Sequence, residues 1–345
     1  MTGKYVGAGI AIWLLTGAGD VVAQSEAFDK RPQPWARQES PALSARTTTE
    51  DWCNVVLYSP FVIHHEGKYR MWYVGTSIAS RTPDMKIGYA ESDDGLTWKP
   101  HSGNPILTGS DLPFAEGFQT PFVLFDPEEK IYKMWFVVVP GKDHNVQKLC
   151  YATSADGLKW EIHPEPIHDS ARSPSILKTG PNSYRMWANS RAPDGSGNLF
   201  TRIYEFTSTD GLKWKQGAKP IIQPSGTIKS CVYPFVVRDG DKFFMWYGGH
   251  RDGGMFELFC ATSEDGSTWK TDHKNPAFPA APGKERFDSR YTSTPCVVKM
   301  PDRWLLYYSA RDWNREYIGA DGVKRRDGSS PYSHVGVAVI RREVD

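Results

Sequence analysis

The chain has 345 residues, enough for one large β or α/β unit or for two domains. Its 41 Lys and Arg against 40 Asp and Glu give a formal charge of +1, so no overall field recommends nucleic acid or an anionic membrane as a partner. Thirteen Trp, sixteen Tyr and sixteen Phe among abundant Gly and Pro suit short aromatic strands joined by tight turns.

The first 23 residues read as a signal peptide: Lys4 supplies a positive start, Tyr5 to Thr16 is mostly apolar, and Val21-Val22-Ala23 precedes a cut. The expected location is therefore secreted or periplasmic. The apolar run is too short and too broken by Gly to read as a span, which takes about 20 apolar residues. The five Cys form no Cys-x-x-Cys pair, which argues against structural zinc and for buried small apolar residues.

From residue 92 onward the chain repeats itself. Ser92 to Trp98 reads SDDGLTW, and it returns as SADGLKW at 154–160, STDGLKW at 208–214 and SEDGSTW at 263–269. Aligned on Asp94, Asp156, Asp210 and Asp265, the steps are 62, 54 and 55 residues, a length that means blades or solenoid turns. Each repeat opens with a Pro-led hydrophobic strand, at Pro60, Pro121, Pro174, Pro234 and Pro295. A second strand follows, such as Tyr69 to Val74, then a third, such as Ile87 to Ala90, and the Asp-Gly turn leads into a fourth. Each tail runs from Trp to a Pro six or seven places on.

Five fronts meet only four complete tails. The fragment Trp35, Pro41, Leu43 is a tail without a front. The fold expected is therefore all-β: a five-bladed β-propeller of four-stranded antiparallel blades, its ring closed by an N-terminal strand at about 35–43. Residues 24–345 make one domain, with blades at about 54–107, 115–168, 170–222, 229–278 and 288–345.

In such a ring the starts of the inner strands and the loops 76–86, 139–148, 189–202, 248–257 and 309–334 share one face, where a pocket is expected. Charged residues concentrate there, among them His250, Arg251 and Asp252, and Arg311 and Asp312 in the longest loop. The segments entering the inner strands add Asp51, Trp52, Glu116, Gln119, Arg172, Asp288 and Arg290.

Repeats of the form Met-Trp-Tyr, Gly-Tyr-Ala-x-Ser, Asp-Gly-x-x-Trp and Asn-Pro-Ile-Leu, as in 71–107, resemble the five-bladed propeller glycoside hydrolases, the group holding families 43, 32, 62, 117 and 130. The resemblance covers about 35–345 and implies cleavage of glycosidic bonds by paired carboxyl groups around the axis. Families 43 and 32 carry Asp directly before the Pro of the first inner strand; here that place is Ser59, and the later ones are Thr120, Ser173, Tyr233 and Thr294. The catalytic carboxylates are then expected elsewhere, at Asp51, Glu116 and Asp252 by position. Trp52, Gln119, Arg172, His250, Arg251, Asp288, Arg290, Arg311 and Asp312 are the expected substrate-binding set. The arginines suit a carbohydrate with carboxylate or sulfate groups. No cofactor is expected; no residue spacing argues for a metal, although the resemblance leaves room for a structural or axial divalent cation. The missing Asp before Pro60 keeps a non-catalytic carbohydrate-binding propeller open as the alternative.

Overall fold

The computed structural model describes residues 35–341 apart from 80–83, 113–116, 142, 144–145, 252–255, 320 and 328–330. The expected signal peptide, together with Glu116 and Asp252, lies outside the described residues.

The fold is all-β. Unit I is an antiparallel sheet of Val56–His65, Lys68–Thr76, Lys86–Ser92 and Lys99–Pro100. Unit II repeats it with Gly117–Asp126, Ile131–Val139, Lys148–Ser154 and Glu161–Ile162, and unit III with Arg172–Gly180, Ser183–Asn189, Ile203–Ser208 and Lys215–Gln216. Unit IV holds Ile228–Asp239, Lys242–Arg251, Phe256–Ser263 and Lys270–Thr271. Unit V holds Tyr291–Lys299, Arg303–Arg311 and His334–Arg341. Its outer position is filled from the other end of the chain, because Ala36 and Arg37 pair with Val339 and Ala338, and Leu43 and Ser44 with Val335 and His334. A parallel bridge between Phe256 and Tyr291 joins units IV and V.

The second strands are buried almost continuously rather than on alternate residues, as expected where both faces of a sheet are covered. The pairs Met71-Trp72, Met134-Trp135, Met186-Trp187 and Met245-Trp246 are all fully buried. All five cysteines are buried and unbonded to each other, and burial pushes the thiols of Cys53, Cys150, Cys231 and Cys296 up to about 12.

The repeated heptad is a turn with a specific wiring. In the first copy Asp94 Oδ1 accepts the N–H groups of Leu96 and Thr97, and Ser92 Oγ accepts those of Asp94 and Gly95. The other three copies repeat these bonds. The Gly stands at φ 72 to 79°, the left-handed region that favours glycine. Its carbonyl then binds the neighbouring unit. Trp72 donates to Gly157, Trp135 to Gly211, Trp187 to Gly266, and Tyr307 Oη to Gly95. Trp246, which would reach for a fifth copy, has an indole N–H with no acceptor among the described residues. Trp35 packs edge-on against it at 6.3 Å and 75°, as Trp160 does on Trp72 at 6.2 Å and 77°.

Between units II and III lies a buried charge cluster. Asp126, fully buried, pairs with Lys133 at 2.9 Å and Lys178 at 3.0 Å. Burial alone would raise its pKa, but the two ammonium groups and the N–H groups of Glu129 and Glu128 hold it well below the usual carboxylate range. A depressed folded pKa gives stability that is present above the unfolded value of about 3.9 and is lost as pH falls toward the folded value. Asp126→Asn should cost about 3 kcal/mol at pH 7, and urea unfolding at pH 3 should show a clearly smaller gap from wild type.

Candidate functional site

The five inner strands share one irregularity. The residue before the strand Pro has positive φ in each, at Ser59, Thr120, Ser173, Tyr233 and Thr294, and pairing with the second strand shifts there. These are β-bulges, which turn a strand and re-aim its side chains. Two residues before the Pro stand Tyr58, Gln119, Arg172 and Val232, all in the wall of one cavity of about 530 Å³. The equivalent Ser293 donates to Tyr332, another wall residue. Every unit contributes to the cavity.

Ser59, where families 43 and 32 carry Asp, and its equivalents in the other four inner strands are not idle. With their prolines, they surround a small inner cavity of about 30 Å³. Thr294 Oγ1 bonds Ser309 Oγ, which also accepts the Ser59 N–H. The hydroxyls of Thr120 and Ser173 are buried without a partner among the described residues.

In the larger cavity the walls are aromatic and the polar groups few. The Arg172 guanidinium lies between Phe200, 4.4 Å from the ring centre, and Tyr233, 4.9 Å away. Its Nη2 donates to Tyr233 Oη at 3.1 Å and reaches Gln119 Oε1 at 3.5 Å. Arg311, also buried, stacks on Tyr332 at 3.7 Å and faces Tyr291 at 4.9 Å. His250 stacks on Phe256, and Gln147 completes the polar lining. Asp327, on the long loop of unit V, is the one carboxylate among the described lining residues. Such a site can stack sugar rings, hold an anion and supply a proton at one carboxyl.

Of the residues singled out in the sequence, Gln119, Arg172, His250 and Arg311 come together here. The others lie elsewhere or outside the described residues. Asp51 is exposed on a short 3-10 helix, Asp51–Cys53. Trp52 stacks on Tyr73 and donates to Glu50; a Cβ added at Gly75 or Gly88 would stand 2.6 Å from its ring, so the glycines make room for it. Arg251 pairs with Glu257 at 3.0 Å. Asp288, fully buried, is held by Arg37 at 2.7 Å, Arg286 at 3.1 Å and Tyr308 Oη at 2.9 Å. Arg290 lies between Tyr291 and Trp313. Asp312 pairs with Arg46 and His334; burial alone would raise its pKa, but these partners hold it low.

Sequence reasoning did not pick out Tyr58, Phe200, Tyr233, Phe256, Tyr332 or Asp327. The signal for Tyr58 was present as the place two before each strand Pro. Among the described residues no cluster of three or more His, Cys, Asp or Glu side chains could hold a metal ion.

This architecture is that of the propeller glycoside hydrolases, and the chain is similar to that group. Residues 34–190 match the model of the glycosyl hydrolases family 32 N-terminal domain. A solved structure of the family 130 mannoside phosphorylases, a family containing glycoside hydrolases that target β-1,2 mannosidic linkages in Candida mannan, superposes with a TM-score of 0.66. It is 17% identical, and the match covers 90% of this chain and 94% of that one. A 1,2-β-oligomannan phosphorylase of a Thermoanaerobacter species is 21% identical over 64% of this chain and 73% of its own length. An uncharacterised protein of Mycobacterium tuberculosis is 30% identical over 47% of this chain. The match spans about half of that relative's length, 55%.

Proposed function

We propose that residues 24–345 form one closed five-bladed propeller that cleaves glycosidic bonds of a poly- or oligosaccharide in its axial cavity. The observation that carries this is the convergence of all five units on one aromatic-walled cavity containing arginines and a carboxylate. Five blades and closure are supported by the unit-to-unit bonds, which run from I to II, II to III, III to IV and V to I. The strand pairing of the two chain ends completes the fifth sheet.

Hydrolysis needs a proton donor to the leaving oxygen and a second carboxylate that activates water or attacks the anomeric carbon. Asp327 is one candidate. Glu116 and Asp252 remain the proposed partners, since described residues close to them in sequence, Gln119 for the first and His250 and Phe256 for the second, line the cavity. A carboxyl separation of about 6.5–9.5 Å would invert configuration and one of about 5–5.5 Å retain it. The arginines favour a carbohydrate bearing acid groups, and the leader supports a secreted or periplasmic site of action.

Phosphorolysis is a second reading, favoured by two arginines against one described carboxylate and by the likeness to an oligomannan phosphorylase. Here phosphate would replace the attacking water. The test is to incubate the purified chain with arabinan, galactan, fructan, β-1,2-mannan and uronic-acid glycans, with and without inorganic phosphate. Phosphate-independent new reducing ends are expected. Sugar 1-phosphates instead would make the chain a phosphorylase, and binding without products would make it a carbohydrate-binding propeller.

A further inference from the structure

Arg172 contrasts with several buried and half-buried cations of this protein. Arg37, Arg46, Lys133, Lys178 and Arg185 each meet a carboxylate within 3.0 Å. Arg172 is only 7% exposed and meets none among the described residues. Its polar contacts are a neutral phenol and a neutral amide, and its Nε–H is buried without an acceptor. Stacking on Phe200 and Tyr233 offsets part of the lost hydration, but it satisfies no N–H donor, and a guanidinium carries five. A buried charge without a counter-ion is strongly unfavourable. This one stands in the cavity wall.

We propose that the counter-ion Arg172 lacks among the described residues is part of the substrate: the cavity takes a sugar bearing an oxyanion, a carboxylate or a sulfate, and Arg172 selects for it. The inference rests on reading the cavity as a carbohydrate site and names its substrate class. Tyr233 and Gln119 act as positioning residues, since both hold the Nη2 side of the guanidinium. A neutral sugar in the same place would leave the charge uncompensated and hydration lost, so discrimination comes from the ground state of the protein as much as from the contact formed.

The test uses the purified full chain at pH 7 and three pairs of probes: glucuronate and glucose, galacturonate and galactose, mannuronate and mannose. Binding is read by calorimetry and by thermal shift. At least one acid sugar should bind ten-fold or more tighter than its neutral parent. Arg172→Gln should remove that preference and Arg172→Lys should restore part of it, the fold of each variant being checked by circular dichroism. Equal binding within all three pairs of the wild-type chain overturns the proposal without recourse to any variant. Inorganic phosphate is the further arm: if it alone binds and no acid sugar does, the oxyanion is free rather than sugar-borne and the proposal falls. Acid-sugar preference in a chain that cleaves no glycan leaves this inference standing and removes the enzyme reading. Cleavage of a neutral glycan with no acid-sugar preference does the reverse.

Discussion

A chain lacking residues 26–45 is expected to melt about 10 °C or more below the full chain. Three losses add up. The first is the outer strand of unit V, with its pairing to 334–339. The second is Trp35, only 8% exposed, whose removal would strip the edge-on partner from Trp246; truncating a buried Trp to Ala costs about 3–5 kcal/mol. The third is Arg37, which lies over Phe278, donates to the carbonyl of Pro279 and pairs with fully buried Asp288. Breaking a buried pair from one side costs about 3–5 kcal/mol when the other charge is left uncompensated; Asp288 retains Arg286 and the Tyr308 hydroxyl, which places the loss of Arg37 at the lower end. In a domain of this size each kcal/mol moves the melting point by about 2 °C. Arg37→Ala alone should account for roughly half of the fall. Differential scanning calorimetry decides, and a deletion variant that melts like the full chain would rule out a closing role for this segment.

The second large effect belongs to Asp327. Asp327→Asn is expected to lower kcat on a responsive glycan by about 10²–10⁴, the range for loss of a positioned general acid or base, while leaving the melting point within a few degrees because the residue is half-exposed on a loop. A change in KM alone would instead make Asp327 a binding residue. Glu116→Gln and Asp252→Asn belong in the same assay. If one of them matches Asp327→Asn while Asp51→Asn stays at wild-type rate, hydrolysis by two carboxyl groups gains its pair. Wild-type kcat in all three would remove axial carboxylate catalysis.

Much of the architecture is legible in the sequence because it is written more than once. Four copies of a turn whose Ser, Asp and Gly each have a fixed backbone task leave little freedom in how the turn folds, and Trp35 stands out as a lone remnant of the same pattern. The candidate site is less legible for the opposite reason. Its walls come from positions where the repeats differ, and which of them face inward depends on a bulge that spacing alone does not reveal. Tyr58, Gln119, Arg172 and Val232 share a place in the strand but no chemistry. Long-range partners are equally hidden: Asp288 reads as a rim carboxylate until Arg37, 251 residues away, is seen to neutralise it. Asp327 lies in a 26-residue stretch, 309–334, much longer than its counterparts in the other repeats.

The lone indole of Trp246 has a consequence for how the protein yields. Four unit-to-unit boundaries are closed by a donor reaching a turn carbonyl, and among the described residues the boundary between units IV and V is not. That seam is held instead by one parallel bridge, the Lys299–Asp239 ion pair, the Thr292 hydroxyl on the Phe278 carbonyl, aromatic packing and strands from opposite ends of the chain. Amide hydrogen exchange should therefore be fastest among the strand residues at 36–44 and 334–339, with the sheets of units II and III the last to exchange. A linker joining the two termini, with new ends cut in one of the exposed turns between the first and second strands of a unit, would move the weak point of the fold to a place of the experimenter's choosing.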